Sequence, residues 1–252
     1  MTIVEPKVSL LAHTMINRDA IAEHMEIQGG STDAETLTVF AGRSCYQSFH
    51  RSSPATFHDP DYLERTLYTQ GHWSIAEHAT ATLYFTGVSR AFTHELIRHR
   101  HLSYSQLSQR FVDEGDANFV IPPAANKSKK EVVYRAEGAA DDLEGHLPNA
   151  LTWWGYEALW AYEIMVGALT DEGLPRKQAR EAARAVLPNM AETKIVVTGN
   201  LRAWHEVIQR RTQPDADAEM QHVMGMARDT LATIAPSIFG YTPDELHDED
   251  AA

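Results

Sequence analysis

The sequence predicts a mixed α/β chain of α+β-like character, and three observations carry that expectation. Apolar runs with β-branched and aromatic residues recur at 7–13, 79–86 and 193–198, the composition of half-buried strands. Between them lie stretches with apolar residues at helical spacing, the longest from about Ala139 to Thr170. Finally, 252 residues with 43% hydrophobic and 23% charged content suffice for one large core and demand no second domain.

The elements follow in order. Lys7–His13 reads as an opening strand, and Thr36–Ser44 has helical spacing leading to Cys45-Tyr46-Gln47-Ser48. Pro54 and Pro60 mark 49–60 as a loop. Tyr62, Leu63, Thr66 and Leu67 give a short amphipathic helix that Gly71 ends. After the strand at 79–86, Ser89 caps a helix running to about Arg98. Residues 118–121 read as a short strand stopped by Pro122-Pro123, and 124–138 as a surface connection.

The 139–170 helix carries Trp153, Trp154, Tyr156, Trp160 and Tyr162 on more than one face, with a break expected at Pro148. Such a helix is usually buried, in the core or against another subunit. Gly173 ends it, and Pro175 suits the first turn of the next. There Arg176, Arg180 and Arg184 recur every four residues. For Arg176 and Arg180 the expectation is a solvated basic stripe, while Arg184 stays open. After the strand at 193–198, Asn200 caps a helix that places Asn200, Trp204, Val207 and Arg211 on one face. A charge ending a partly apolar stripe needs a partner, either an internal acid or an anionic ligand. A last amphipathic helix covers 216–235, and the acidic end at 244–250 is expected to fray.

Charge narrows the function. A net charge of −13 disfavours nucleic-acid binding, so an anionic ligand needs a local basic pocket. Sixteen of the 22 basic residues are arginines, and ten of those fall in 90–110 and 176–211. The single cysteine, Cys45, excludes an intramolecular disulfide and fits a reducing cytosol. The opening residues do not read as a signal peptide, and Glu157 and Glu163 argue against a membrane span at 150–169. The expected location is cytoplasmic.

The densest chemistry lies in Arg98-His99-Arg100-His101-Leu102-Ser103-Tyr104-Ser105-Gln106-Leu107-Ser108-Gln109-Arg110. Arginine forks meet phosphates or carboxylates two-pronged, and hydroxyls and amides add donors around the same anion. The run therefore reads as an anion site for a polar, heteroaromatic ligand, rather than a decorated turn. A metal site fails on geometry. His94-Glu95-Leu96-Ile97-Arg98-His99 sets its second histidine at i+5, not i+4, among arginines. Cys45 has only His50 nearby in sequence, and a lone cysteine at helical spacing is usually a small buried apolar group. No glycine-rich phosphate loop or nucleophile elbow occurs. On residues alone, a non-catalytic nucleotide-binding module or a structural oligomer remains open.

Arg98-His99-Arg100, then seven residues, then Ser108 and Arg110 resembles the signature of the flavin-dependent thymidylate synthases. Four further segments resemble that family in the same order: Ala41–Tyr46, Gly71-His72-Trp73-Ser74-Ile75-Ala76-Glu77-His78, Ala183–Pro188 and Asn200–Arg211. The likeness spans roughly residues 8–240.

The resemblance implies an α/β subunit with a central mixed or antiparallel sheet flanked by helices. It implies one domain over 1–252, with a core at about 8–240 and an acidic tail at 241–252, in a homotetramer with sites at subunit interfaces. It further implies FAD as cofactor, with NADPH and 5,10-methylenetetrahydrofolate as cosubstrates that convert dUMP to dTMP for dTTP synthesis. No metal, nucleic-acid or membrane partner is expected. Carried over by position, Ser74, Arg98, His99, Arg100, Gln106, Asn200, Arg202 and Glu206 are the flavin set. Glu95, Leu96, Ile97, Arg98, Gln106, Leu107, Ser108, Gln109, Arg110, Arg184 and Arg211 are the dUMP set, with Arg211 catalytic and His72 toward the folate. Two positions depart from the pattern. Glu206 stands where the family carries His or Asn, with His205 beside it as a substitute donor, and Glu95 stands where others carry Gln.

Overall fold

The computed structural model describes residues 1–134 and 143–240. In order these form β1 (Lys7–His13), α1 (Arg18–Ala22), α2 (Asp33–Tyr46), a 3-10 turn (Pro54–Thr56) and α3 (Asp59–Leu63). A π-turn (Glu64–Thr69) and a 3-10 turn (Trp73–Glu77) precede β2 (Thr80–Ser89), α4 (Arg90–Leu96), β3 (Ser103–Gln106) and α5 (Pro123–Asn126). Next come β4 (Glu131–Tyr134), β5 (Leu143–His146), α6 (Leu147–Asp171), α7 (Arg176–Ala183) and a 3-10 turn (Arg184–Val186). The chain closes with β6 (Glu192–Asn200), α8 (Leu201–Arg211), α9 (Ala218–Ala232) and α10 (Pro236–Phe239). The class is the expected mixed α/β with an antiparallel sheet. Its four described strands run in the order β1-β2-β6-β3.

Two compact units divide the chain. Unit 1 holds Met1–Lys7, Phe85–Arg98 and Ser105–Ile195; unit 2 holds Val8–Tyr84, His99–Tyr104 and the chain from Val196 onward. The strands β2, β3 and β6 each pass from one unit to the other.

In unit 1, α6 packs on α7, burying Leu159, Tyr162, Ala179 and Ala183. Alanines on α7 let the helix axes approach closely. Gly87, at φ +65°, lies against the backbone of Glu5, where an added Cβ would meet the carbonyl oxygen at 1.9 Å. Only glycine fits there.

In unit 2, α8 packs on α9 and on the Trp73–Glu77 turn. Trp204, Leu201, Val207 and Met220 fill this core, and Trp204 Nε1 donates to the Ala81 carbonyl at 3.1 Å. A capping box opens α2: Thr32 Oγ1 accepts from Glu35 N, and Glu35 accepts from Thr32 N. The other oxygen of Glu35 accepts from Ser237 N at 2.7 Å, which fastens α10. Arg51 and Asp59 form a buried pair at 2.6 Å. The Ser31 hydroxyl adds a bond to Asp59 at 2.8 Å, and Arg51 also donates to the carbonyls of Phe57 and Glu26. Arg43 donates to the carbonyls of Ser48 and Thr56 and lies over the Tyr62 ring.

Most expected elements stand at their expected places, and the exceptions have physical causes. Phe119 makes isolated bridges to Ile3 and Ala191 in place of a strand over 118–121, since Pro122 and Pro123 remove the next donors. The expected connection at 124–138 contains α5 and β4, and β4 pairs antiparallel with β5 from Glu131↔His146 to Tyr134↔Leu143. Pairing with a distant segment makes that strand, and no local signal announces it. Pro148 opens α6 rather than breaking it; its missing N–H is harmless in the first turn. Trp154, Tyr156 and Trp160 are 43%, 53% and 58% exposed, so the core does not cover them. Cys45, expected buried, is exposed. The segment 135–142 and the acidic tail lie outside the described residues.

Candidate active site

Unit 2 builds a candidate site on the junction of β6 and α8. Asn200 caps α8 as expected, its Oδ1 accepting from Ala203 N at 2.8 Å. Its Nδ2 is left to donate to a ligand. Arg202 sits in the first turn, donating through Nη1 to Glu77 at 2.7 Å and through Nε to Glu206 at 2.9 Å. These two carboxylates raise the guanidinium pKa further.

His205, one turn further along α8, is buried and stacks on Trp73 with ring centroids 3.7 Å apart. Burial drives its pKa down to about 4, so the imidazole is neutral. Two cavities share Arg202 and Glu206 in their walls. One, of about 280 Å³, adds Glu77, His101, Asn200 and Ala203. The other, of about 370 Å³, adds Gly71, His72, Trp73, Ser74, His205 and Gln209.

At the far end of α8, Arg211 Nε donates to His99 Nε2 at 2.8 Å. Accepting through Nε2, that imidazole carries its proton on Nδ1. Next to it, Tyr104 donates its hydroxyl to the His99 carbonyl at 2.7 Å, and burial pushes the phenol up to about 12. Arg100 is exposed on the same segment.

Unit 1, taken by itself, holds a second set of candidate residues. Glu95, Ile97 and Arg98 are exposed at the end of α4, but Leu96 is fully buried, so only its backbone can reach a ligand. The Gln106 amide donates to the hydroxyls of Thr93 and Thr193 at 2.9 and 3.2 Å, leaving its Oε1 as the acceptor. Leu107 N is tied to the Lys194 carbonyl, and Ser108 turns the chain by accepting from Phe111 N and Val112 N. Gln109 is 7% exposed. Arg110 Nε donates to Glu181 at 3.0 Å, with both side chains more than two-fifths exposed.

The arginine row of α7 corrects an expectation. Arg180 is no solvated stripe: it donates to the Phe111 carbonyl at 2.9 Å and to Asp113 at 2.5 Å. Burial opposes ionisation of Asp113, yet its bonds from Gly115 N and Arg180 bring its pKa down overall. Lys177 lies over the Phe111 ring at 4.7 Å. Arg176 and Arg184 are exposed. Thus α7 grips the loop carrying Ser108 and Arg110.

The structure gathers Ser74, Asn200, Arg202, Glu206 and His72 around the two cavities of unit 2. The reading by sequence gave no role to Trp73, Glu77, His101 or Gln209. Arg202, His205, Glu206 and Gln209 stand at i, i+3, i+4 and i+7, a spacing that shares one helix face. Among the described residues, no three His, Cys, Asp or Glu side chains are grouped to hold a metal. No described helix is long and apolar enough to cross a membrane.

Comparison with known proteins identifies the family and the fold. The profile of the family described as thymidylate synthase complementing protein matches residues 27–237. A flavin-dependent thymidylate synthase of Mycobacteroides abscessus is 47% identical over 213 residues, 83% of this chain and 81% of that one. A probable flavin-dependent thymidylate synthase of Mycobacterium phage L5 is 44% identical, over 85% of this chain and 83% of its own. Among solved structures, thymidylate synthase X of Helicobacter pylori with FAD and dUMP aligns with a TM-score of 0.60 at 19% identity. That match covers 96% of this chain and 99% of the other. A UMP/dUMP methylase of Streptomyces cacaoi bound with 5-Br dUMP aligns at 0.64, with 20% identity over 94% of each chain.

Proposed function

The chain belongs to the flavin-dependent thymidylate synthase family, and from that premise we infer that it methylates dUMP to dTMP with FAD as its flavin. The observation that supports this most directly is the α8 row, whose Arg202, His205, Glu206 and Gln209 border the two cavities of unit 2. Its donor set fits a flavin nucleotide. Arg202 and the Asn200 amide suit phosphate oxygens, the carboxylates of Glu77 and Glu206 accept from hydroxyls, and Trp73 offers an aromatic surface. Ser74, Arg98, His99, Arg100 and Gln106 complete the proposed flavin set.

We assign Glu95 to Arg98, Gln106 to Arg110 and Arg184 to dUMP. The arginines and Ser108 hold its phosphate, Leu96 contributes through its backbone, and Gln106 Oε1 accepts from the nucleotide. His72 is assigned to the folate. The one-carbon donor is 5,10-methylenetetrahydrofolate, and NADPH is the reductant. Bound flavin supplies two-electron chemistry that no side chain can.

The protein's own catalytic contribution is Arg211. A uracil ring resists bond formation at C5 unless negative charge on its N3–carbonyl edge is stabilised. A guanidinium held by the neutral His99 is a preorganised cation for that task. Cys45, exposed and outside the assigned set, serves as no nucleophile.

The working form is a homotetramer in the cytoplasm, with its sites at subunit interfaces and a single catalytic domain spanning about 8–240. Exposed Trp154, Tyr156 and Trp160 support a covering subunit, because large apolar patches are rarely left in water. An assay for dTMP tests the reading. Formation should require dUMP, FAD, NADPH and methylenetetrahydrofolate together and survive Cys45→Ala. Product formed without flavin, or activity lost with Cys45→Ala, would overturn it.

A further inference from the structure

Within unit 1, α7 sends three side chains to one short stretch of chain, and none of them belongs to the assigned nucleotide set. Lys177, Arg180 and Glu181 stand at i, i+3 and i+4, which places them on one face of the helix. Buried Ala179 and Ala183 hold that helix against α6. Lys177 lies over the Phe111 ring at 4.7 Å. Glu181 accepts from Arg110 Nε at 3.0 Å. Arg180 makes a forked contact, Nη1 donating to the Phe111 carbonyl at 2.9 Å and Nη2 to Asp113 Oδ2 at 2.5 Å.

These contacts are unequal. The Arg110 and Glu181 side chains are 42% and 43% exposed, so water weakens their pair. Arg180 is 14% exposed. Its Nε is fully covered and its two Nη atoms are engaged, so the guanidinium faces the loop rather than a ligand. Asp113 is arranged for this bond: Oδ1 accepts from Gly115 N at 3.2 Å, and Oδ2 is left for Arg180. Other ties lie at the ends of the loop. Leu107 N donates to the Lys194 carbonyl at 2.8 Å, and Glu114 N to the Tyr162 hydroxyl at 3.3 Å. Between them the Ser108 carbonyl accepts from Phe111 N and Val112 N, local bonds that close the turn, while the Gln109 side chain is buried. Ser108 and Arg110 sit in this span. A loop held chiefly at its ends must be ordered when a ligand arrives, which lowers affinity.

We propose that Arg180 is a positioning residue for the nucleotide: clamping the Phe111 carbonyl and the Asp113 carboxylate, it holds Ser108 and Arg110 ready for a phosphate monoester. That monoester is dUMP, so the inference rests on the assignment of Ser108 and Arg110 to it. Arg180 itself touches no ligand. It acts by reducing the ordering that binding demands. Such preorganisation bears on binding and not on the chemical step, so its loss falls on Kd and KM for dUMP and spares kcat at saturation.

The test is calorimetric titration of dUMP into the FAD-loaded full-length protein, with steady-state kinetics and amide hydrogen exchange beside it. Arg180→Ala should raise Kd and KM for dUMP about tenfold, keep kcat at saturating dUMP within about twofold, and retain flavin. In the free variant the amides of Phe111 and Val112 should exchange about tenfold faster, and recover protection once dUMP saturates. Asp113→Asn keeps the Gly115 contact but removes the charge that Arg180 meets, and should raise Kd about threefold. The two changes together should do no more than Arg180→Ala alone. An arginine acting directly on the phosphate gives the opposite sign, because Asp113→Asn would free its guanidinium for the ligand. Asp113→Asn that binds dUMP as tightly as wild type, or tighter, overturns the proposal. So does Arg180→Ala with an unchanged Kd, or with its loss confined to kcat. If Arg180→Ala does not fold, Asp113→Asn alone decides. A flavin-loaded wild type that binds no dUMP removes the nucleotide assignment and this inference with it.

Discussion

Arg43 and Arg51 in unit 2 and Arg98 and Arg100 in the signature segment are chemically identical and end in opposite situations. The first two are 2% and 5% exposed and are held by backbone carbonyls, with Asp59 completing the set around Arg51. The second two are exposed and form no ion pair among the described residues. A buried guanidinium must be matched inside the protein, and these are nearly so, only their Nε atoms lacking a partner. An exposed one without a carboxylate stays available for an anion. Arginine content alone does not locate a site; the accounting of partners does.

Four substitutions separate the matched arginines from the available ones. Arg51→Ala leaves Asp59 buried and unpaired, and should lower unfolding stability by about 3–5 kcal/mol. Urea unfolding checks this, and a loss below about 1 kcal/mol would show the pair to be ornamental. Arg211→Ala should leave stability and flavin binding largely intact while kcat for dTMP falls by about 10²–10³. Loss of flavin with that change would place the residue in the cofactor site instead. Arg98→Ala should weaken ligand binding by about 1.5–3 kcal/mol with little shift in Tm, the reverse of Arg51→Ala. Smallest of all, Glu181→Gln should change stability by less than about 1 kcal/mol, because its pair with Arg110 is solvated. A larger drop would make that contact structural.

The contrast also marks what the sequence disclosed. Strands β2 and β6 and the caps Ser89 and Asn200 were legible because period-two burial and N-cap chemistry are local. The polar strand β3 was not: Ser103–Gln106 has no apolar alternation and is fixed by its neighbour in the sheet. The pair β4 and β5 escaped for the same reason. In the site, helical spacing brought Asn200 and Arg211 into view, whereas the Trp73–His205 stack and the Arg202–Glu77 bond join residues more than 120 positions apart. Arg180 was misjudged because its partners, the Phe111 carbonyl and Asp113, come from a loop. A helical row states where guanidinium groups point, not what waits for them.

The visible absorption spectrum is the most direct test of flavin chemistry in this protein. Purified protein given FAD should retain flavin bands that bleach with NADPH, and bleach faster when dUMP is present. Protein that retains no flavin, or whose bleaching ignores dUMP, would contradict it.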